Sequence, residues 1–147
     1  ILAQGTTGSP LERSLEMGLK AVDHSLPCAS GDKWKLRCGA TRIVIILSDE
    51  DDETIEDQSG GDNYPGDPHP PLVETFARGF RDREVILFAI AGGNPRCPTA
   101  YNASKGINAV VNAVGGGSVG SICDADQTTN VENIIRAASG ISSTTIG

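Results

Sequence analysis

The chemistry in this sequence gathers where an aliphatic run ends. In "IVIILSDEDDETIED", Ile43 to Asp57, Ser48 is followed by Asp49, Glu50, Asp51, Asp52 and Glu53, and the stretch holds no Lys or Arg. Like charges this close repel one another unless water or a cation lies between them. A hard divalent cation is the natural counter-ion. Mg²⁺ takes one or two carboxylates in an octahedral oxygen shell and keeps several waters, whereas Ca²⁺ accepts more carboxylates in a looser shell. The competing reading is a solvated acidic loop. Asp62 and Asp67 in the next loop either join Asp51 and Asp52 around an additional Ca²⁺ or are solvated with them.

A second group lies near the start of the chain. "GSPLERSL", Gly8 to Leu15, puts the Ser9 hydroxyl ahead of a helical pattern, with Glu12 spaced as the partner of a capping box. Leu11, Leu15, Leu19 and Val22 recur at helical spacing and predict a helix from Pro10 to about Asp23. "LPCASGDKWKLRCGAT" holds turn formers and no sustained period. Arg42 to Leu47, "RIVIIL", then reads as a strand buried on both faces.

Past the acids, "QSGGDNYPGDPHPP" is loop by composition. Leu72, Val73, Phe76 and Phe80 mark a second helix, and Val85 to Ala91, "VILFAIA", a second strand. Ile107, Val110, Val111 and Val114 predict a third helix, "GGGSVGSIC" a short third strand, and Val131, Ile134, Ile135 and Ala138 a last helix. Strands alternating with helices in this way predict an α/β fold, a doubly wound and mainly parallel sheet flanked by helices with right-handed crossovers. In such sheets ligands sit outside the carboxyl ends of the strands, which is where Asp49 falls.

Composition narrows the classes. The 147 residues are 38% hydrophobic, enough for one domain with a core. With 12 Lys+Arg against 19 Asp+Glu, the net charge of −7 argues against nucleic acid and anionic membrane. No apolar run approaches the roughly 20 residues of a membrane span, and "ILAQGTTGSP" lacks the features of a signal peptide. Cys28, Cys38, Cys97 and Cys123 show no C-x-x-C spacing. Their even number and wide spacing fit two disulfides and an oxidising compartment, with four buried free thiols as the alternative.

Glycine, hydroxyl and leucines at the head of a helix, followed by an aliphatic strand ending in Ser-Asp, resemble the von Willebrand factor A family, whose fold integrin inserted domains share. "GTTGSPLERSLEMGLKA", "VIILSDEDDET" and "GGGSVGSICDAD" look closest to secreted or lipid-anchored A domains of proteobacteria, including myxobacteria. The resemblance implies a metal-ion-dependent adhesion site on three loops: an Asp-x-Ser-x-Ser after the first strand, a Thr in a Gly-Thr-x-Leu loop, and an Asp in a Thr-Asp-Gly. Gly8-Ser9-Pro10-Leu11 is similar to the second loop and Ser48-Asp49-Glu50 to the third, with Glu50 where the motif has Gly. By that resemblance Ser9 and Asp49 hold Mg²⁺, with Mn²⁺ or Ca²⁺ as substitutes, and Glu50, Asp51 and Asp52 are outer groups or ligands of an additional cation. An acidic side chain of a protein partner completes the shell, no reaction is catalysed, and the setting is extracellular or the cell surface.

The resemblance also implies that residues 1–147 are one A-type domain from its second metal loop onward. The first strands and their Asp-x-Ser-x-Ser then belong to the same or another chain, and the sheet exposes an unpaired edge. "DQSGG", Asp57 to Gly61, matches only the first three motif positions and follows no strand. On this topology Cys97 and Cys123 share the carboxyl-end face while Cys28 and Cys38 flank the return loop at the opposite end, giving the pairs Cys28–Cys38 and Cys97–Cys123.

Two other functions compete. One is a structural A domain with a degenerate metal site. The other is a Mg²⁺-dependent hydrolase or phosphotransferase using Asp49 and Asp51, although the sequence has no Gly-rich phosphate loop with Lys. His24 and His69 read as surface residues, Trp34 as a plug in the lower core, and Asn102-Ala103-Ser104 as a bare glycosylation sequon.

Overall fold

The structure, a computed structural model, describes residues 12–28, 35–55 and 68–144, with side chains of the last stretch through residue 139. Ser9, Asp57, Asp62, Asp67 and Trp34 lie outside the described residues. The elements run α1 (Ser14–Ser25), β1 (Arg42–Ser48), a 3₁₀ turn (Glu53–Ile55), α2 (Pro70–Asp82), β2 (Val85–Ala91), α3 (Lys105–Val114), β3 (Val119–Ser121) and α4 (Thr128–Thr144). This is the expected α/β alternation. The three strands lie in the order β1-β2-β3 and pair in parallel, with Ile46 beside Ala89 and Ala89 beside Val119.

Packing follows the apolar periods. Leu15 and Val22 of α1, Ala77 and Phe80 of α2, and Ile107, Val110 and Val111 of α3 form one core with Ile46 of β1 and Val85, Leu87, Ala89 and Ala91 of β2. Three helices therefore cover one face of the sheet. A Pro at the start of α2 suits a position whose N–H has no partner in the helix. Gly115 closes α3 at φ 77°, a conformation costly for a side chain with a Cβ, and its N–H reaches the Val111 carbonyl at 3.1 Å.

Two expectations need correction. β1 is not buried on both faces: Val44 and Ile46 face the core, while Ile43, Ile45 and Leu47 are 37%, 47% and 70% exposed. A uniformly apolar run has no period, so it cannot reveal that one face is open. Phe88 and Ile90, beside Ile45 and Leu47 in the register, are buried, so the open strip is one strand wide. Among the described residues β1 pairs only with β2, and none of them pairs with its other edge.

The second correction concerns α1, which begins at Ser14 after Glu12 and Arg13 in non-helical backbone; Pro10 and Leu11, where the predicted helix starts, lie outside the described residues. Glu12 precedes the helix, its carboxylate bonded to the Ser48 hydroxyl, so it is no capping-box partner. The first turn of α1 is capped instead from across the fold.

Candidate functional site

The carboxyl end of β1 places five consecutive acids in different environments. Asp49 is exposed, Glu50 and Glu53 are half-buried, and Asp51 and Asp52 are 1% and 0% exposed. The solvated-loop reading of Asp51 and Asp52 is thus overturned. Buried carboxylates need donors, and both find them at helix N-termini, where backbone N–H groups lack partners within the helix.

Asp52 caps α1. Its Oδ2 accepts from the Leu15 N–H at 2.7 Å and the Ser14 hydroxyl at 3.1 Å, and its Oδ1 from the Thr54 N–H at 2.9 Å and the Thr54 hydroxyl. Asp51 caps α3, taking the Gly106 N–H at 2.6 Å on one oxygen and the Ile107 N–H at 2.9 Å on the other, with the Asp52 N–H at 3.0 Å. The positive ends of two helix dipoles thus meet the two carboxyl groups. Burial pushes the Asp51 carboxyl above its ordinary range, against the three backbone donors that favour its charged form. Gly106 leaves room here: a Cβ would fall 2.7 Å from Ile55 Cγ1 and 3.2 Å from Asp51 Oδ1, so these side chains would have to shift.

The remaining acids form the candidate site. The Ser48 hydroxyl donates to Glu12 and its oxygen accepts the Glu50 N–H at 3.1 Å. Burial raises the Glu50 carboxyl, and the like charges of Glu12, Asp49 and Glu53 raise it further. Negative charge therefore converges on Glu50, and beside it the exposed Asp49 side chain has no hydrogen-bond or ion-pair partner among the described residues. The bond from Ser48 to Glu12 brings the segment that follows Ser9 in sequence to this strand end.

A third loop closes against the same end. The Tyr101 N–H donates to the Asp49 carbonyl at 2.9 Å, and the Asp51 N–H to Asn102 Oδ1 at 2.6 Å. Asn102 and Ser104 are buried, and the Ser104 hydroxyl donates to the Gly92 carbonyl, so the sequon is built into the fold and not displayed. Both cysteine pairs occur as expected, with Cα–Cα distances of 5.0 Å for Cys28–Cys38 and 6.1 Å for Cys97–Cys123. The latter joins this loop to the segment after β3. His69 is half-buried: it precedes α2, and its backbone N–H reaches the Ile55 carbonyl at 2.8 Å.

Of the expected metal ligands, Asp49 stands where a cation could reach it, Glu50 lies beside it, and Asp51 and Asp52 hold helices. A hard cation at Asp49 fits the charge of the donors, but its shell needs further ligands: among the described residues no three His, Cys, Asp or Glu are grouped to hold a metal. The roles of Asp51, Asp52, Asn102 and Gly106 escape sequence reading because their partners lie far along the chain. A cleft of about 350 Å³ lined by Val22, Leu36, Arg42 and Ile43 sits at the other end of β1, away from the acids. No described helix is long and apolar enough to cross a membrane. No family model, curated protein or solved structure matches the chain.

Proposed function

We propose that the carboxyl end of β1 is a divalent-cation-dependent recognition site of the von Willebrand factor A type, engaging an acidic side chain of a protein partner outside a reducing cytosol. The observation that carries the proposal is Asp49: an exposed carboxylate without a side-chain partner among the described residues, at the carboxyl end of a parallel strand, beside Glu50, on which the charges of Glu12, Asp49 and Glu53 converge. Ser9 and an Asp-x-Ser-x-Ser strand, in this or another chain, complete the shell on this reading. That no described strand pairs with the outer edge of β1 leaves room for such a strand, and two cysteine pairs support the oxidising setting. Mg²⁺ at an incomplete protein shell keeps exchangeable waters, and a partner carboxylate can replace one.

The test is calorimetric titration of Mg²⁺, Mn²⁺ and Ca²⁺ into chelator-treated protein that includes whatever chain completes the shell. Saturable binding that Asp49→Ala abolishes is expected. Absence of binding would favour the second reading, a structural domain with a degenerate site, which draws on the commitment of Asp51 and Asp52 to helix caps.

A further inference from the structure

The geometry points to Asn102 as the residue that positions Asp49, acting through the main chain of the acidic loop; this rests on the reading of Asp49 as the cation-binding carboxylate. Two consecutive residues of the loop after β2 hold alternate residues of the loop after β1. Tyr101 donates its N–H to the Asp49 carbonyl at 2.9 Å, and the Asn102 side chain accepts the Asp51 N–H at 2.6 Å. Asp49 and Glu50 are thereby fixed between two tethers. Ser48 adds a third by accepting the Glu50 N–H at 3.1 Å.

The platform that carries Asn102 is itself closed. The Ser104 N–H reaches the Gly92 carbonyl at 3.2 Å, and Arg96 donates to the Tyr101 carbonyl at 2.8 Å. Gly92 lies so close that a Cβ there would be 2.7 Å from the Asn102 carbonyl and 3.4 Å from that of Asp49. Asn102 is 3% exposed. An acceptor this buried is not replaced by water when removed, so the Asp51 N–H would be stranded and the loop would shift to satisfy it. Outer groups that orient a metal ligand typically change affinity by about 10- to 100-fold when removed.

The experiment compares wild type, Asn102→Ala and Asn102→Asp by two measurements, amide hydrogen exchange and Mn²⁺ titration, in the protein that includes the completing chain. In Asn102→Ala the Asp51 amide should exchange at least about tenfold faster and Mn²⁺ affinity should fall about tenfold, while amides of the β2 core keep their protection. Asn102→Asp retains an accepting oxygen and, measured at a pH low enough to keep the new buried carboxyl protonated, should restore protection of the Asp51 amide. Unchanged exchange at Asp51 and unchanged Mn²⁺ affinity in Asn102→Ala would overturn the assignment, as would loss of Asp51 protection in Asn102→Asp. Should Asn102→Ala fail to fold, Asn102→Asp decides by the same exchange readout. Should wild type bind no Mn²⁺, the metal reading falls, and exchange at Asp51 alone decides whether Asn102 holds the loop.

Discussion

Asp49, Asp51 and Asp52 share a side-chain type and differ in what surrounds them. Asp52 holds four donors from α1 and the 3₁₀ turn, so Asp52→Ala strands the Leu15 and Thr54 N–H groups. A loss of about 2 to 3 kcal/mol is expected in urea denaturation, from the cost of a lost cap and of unsatisfied donors. Asp51 gives a dependence on pH. Its carboxyl is raised in the folded state above the roughly 3.9 of an unfolded chain, so its stabilising contribution is complete below that value and declines as pH rises through the folded one. The margin of wild type over Asp51→Asn should therefore be wider at pH 4 than at pH 7. A margin that widens with pH would show the three backbone donors outweighing burial. The sequence revealed a carboxylate cluster but not this division of roles, because the donors at Leu15 and Gly106 come from helices remote in the chain.

At the scale of elements, helices were legible and the first strand only in part. Leu72, Val73, Phe76 and Phe80 mark α2, and Ile107, Val110, Val111 and Val114 mark α3, because each set forms a stripe at helical spacing that packs on the sheet. "RIVIIL" gave the strand but not its exposure, since burial depends on neighbours the run does not name. Ile46→Ala removes a core side chain and should cost about 2 to 5 kcal/mol. Leu47→Lys, on the open face, should change stability by no more than about 0.5 kcal/mol. Similar losses from both in thermal denaturation would mean that the open face is covered. Gly106→Ala places a methyl against Ile55 and should cost about 1 to 3 kcal/mol by crowding the start of α3.

For the whole molecule, the acidic strand end and the Cys97–Cys123 pair lie on the carboxyl-end side of the parallel sheet, and the Cys28–Cys38 pair lies in the segment joining α1 to β1. The alternation of elements made this arrangement readable, because a parallel sheet brings the ends of successive strands together. On the proposed reading, what completes the shell was not readable, because Asp49 stands at one strand end while any residues sharing a cation with it would come from other segments. On the proposed reading Asp49 meets the cation, being the one of the three aspartates at this strand end without a side-chain partner among the described residues. Titration of Mn²⁺ into ¹⁵N-labelled protein with its completing chain tests it directly, since the paramagnetic ion broadens the nearest amides. Broadening centred on Asp49 and Glu50, lost in Asp49→Ala with the fold retained, is the predicted result. Broadening that persists in Asp49→Ala, or that is centred away from this strand end, would contradict the account.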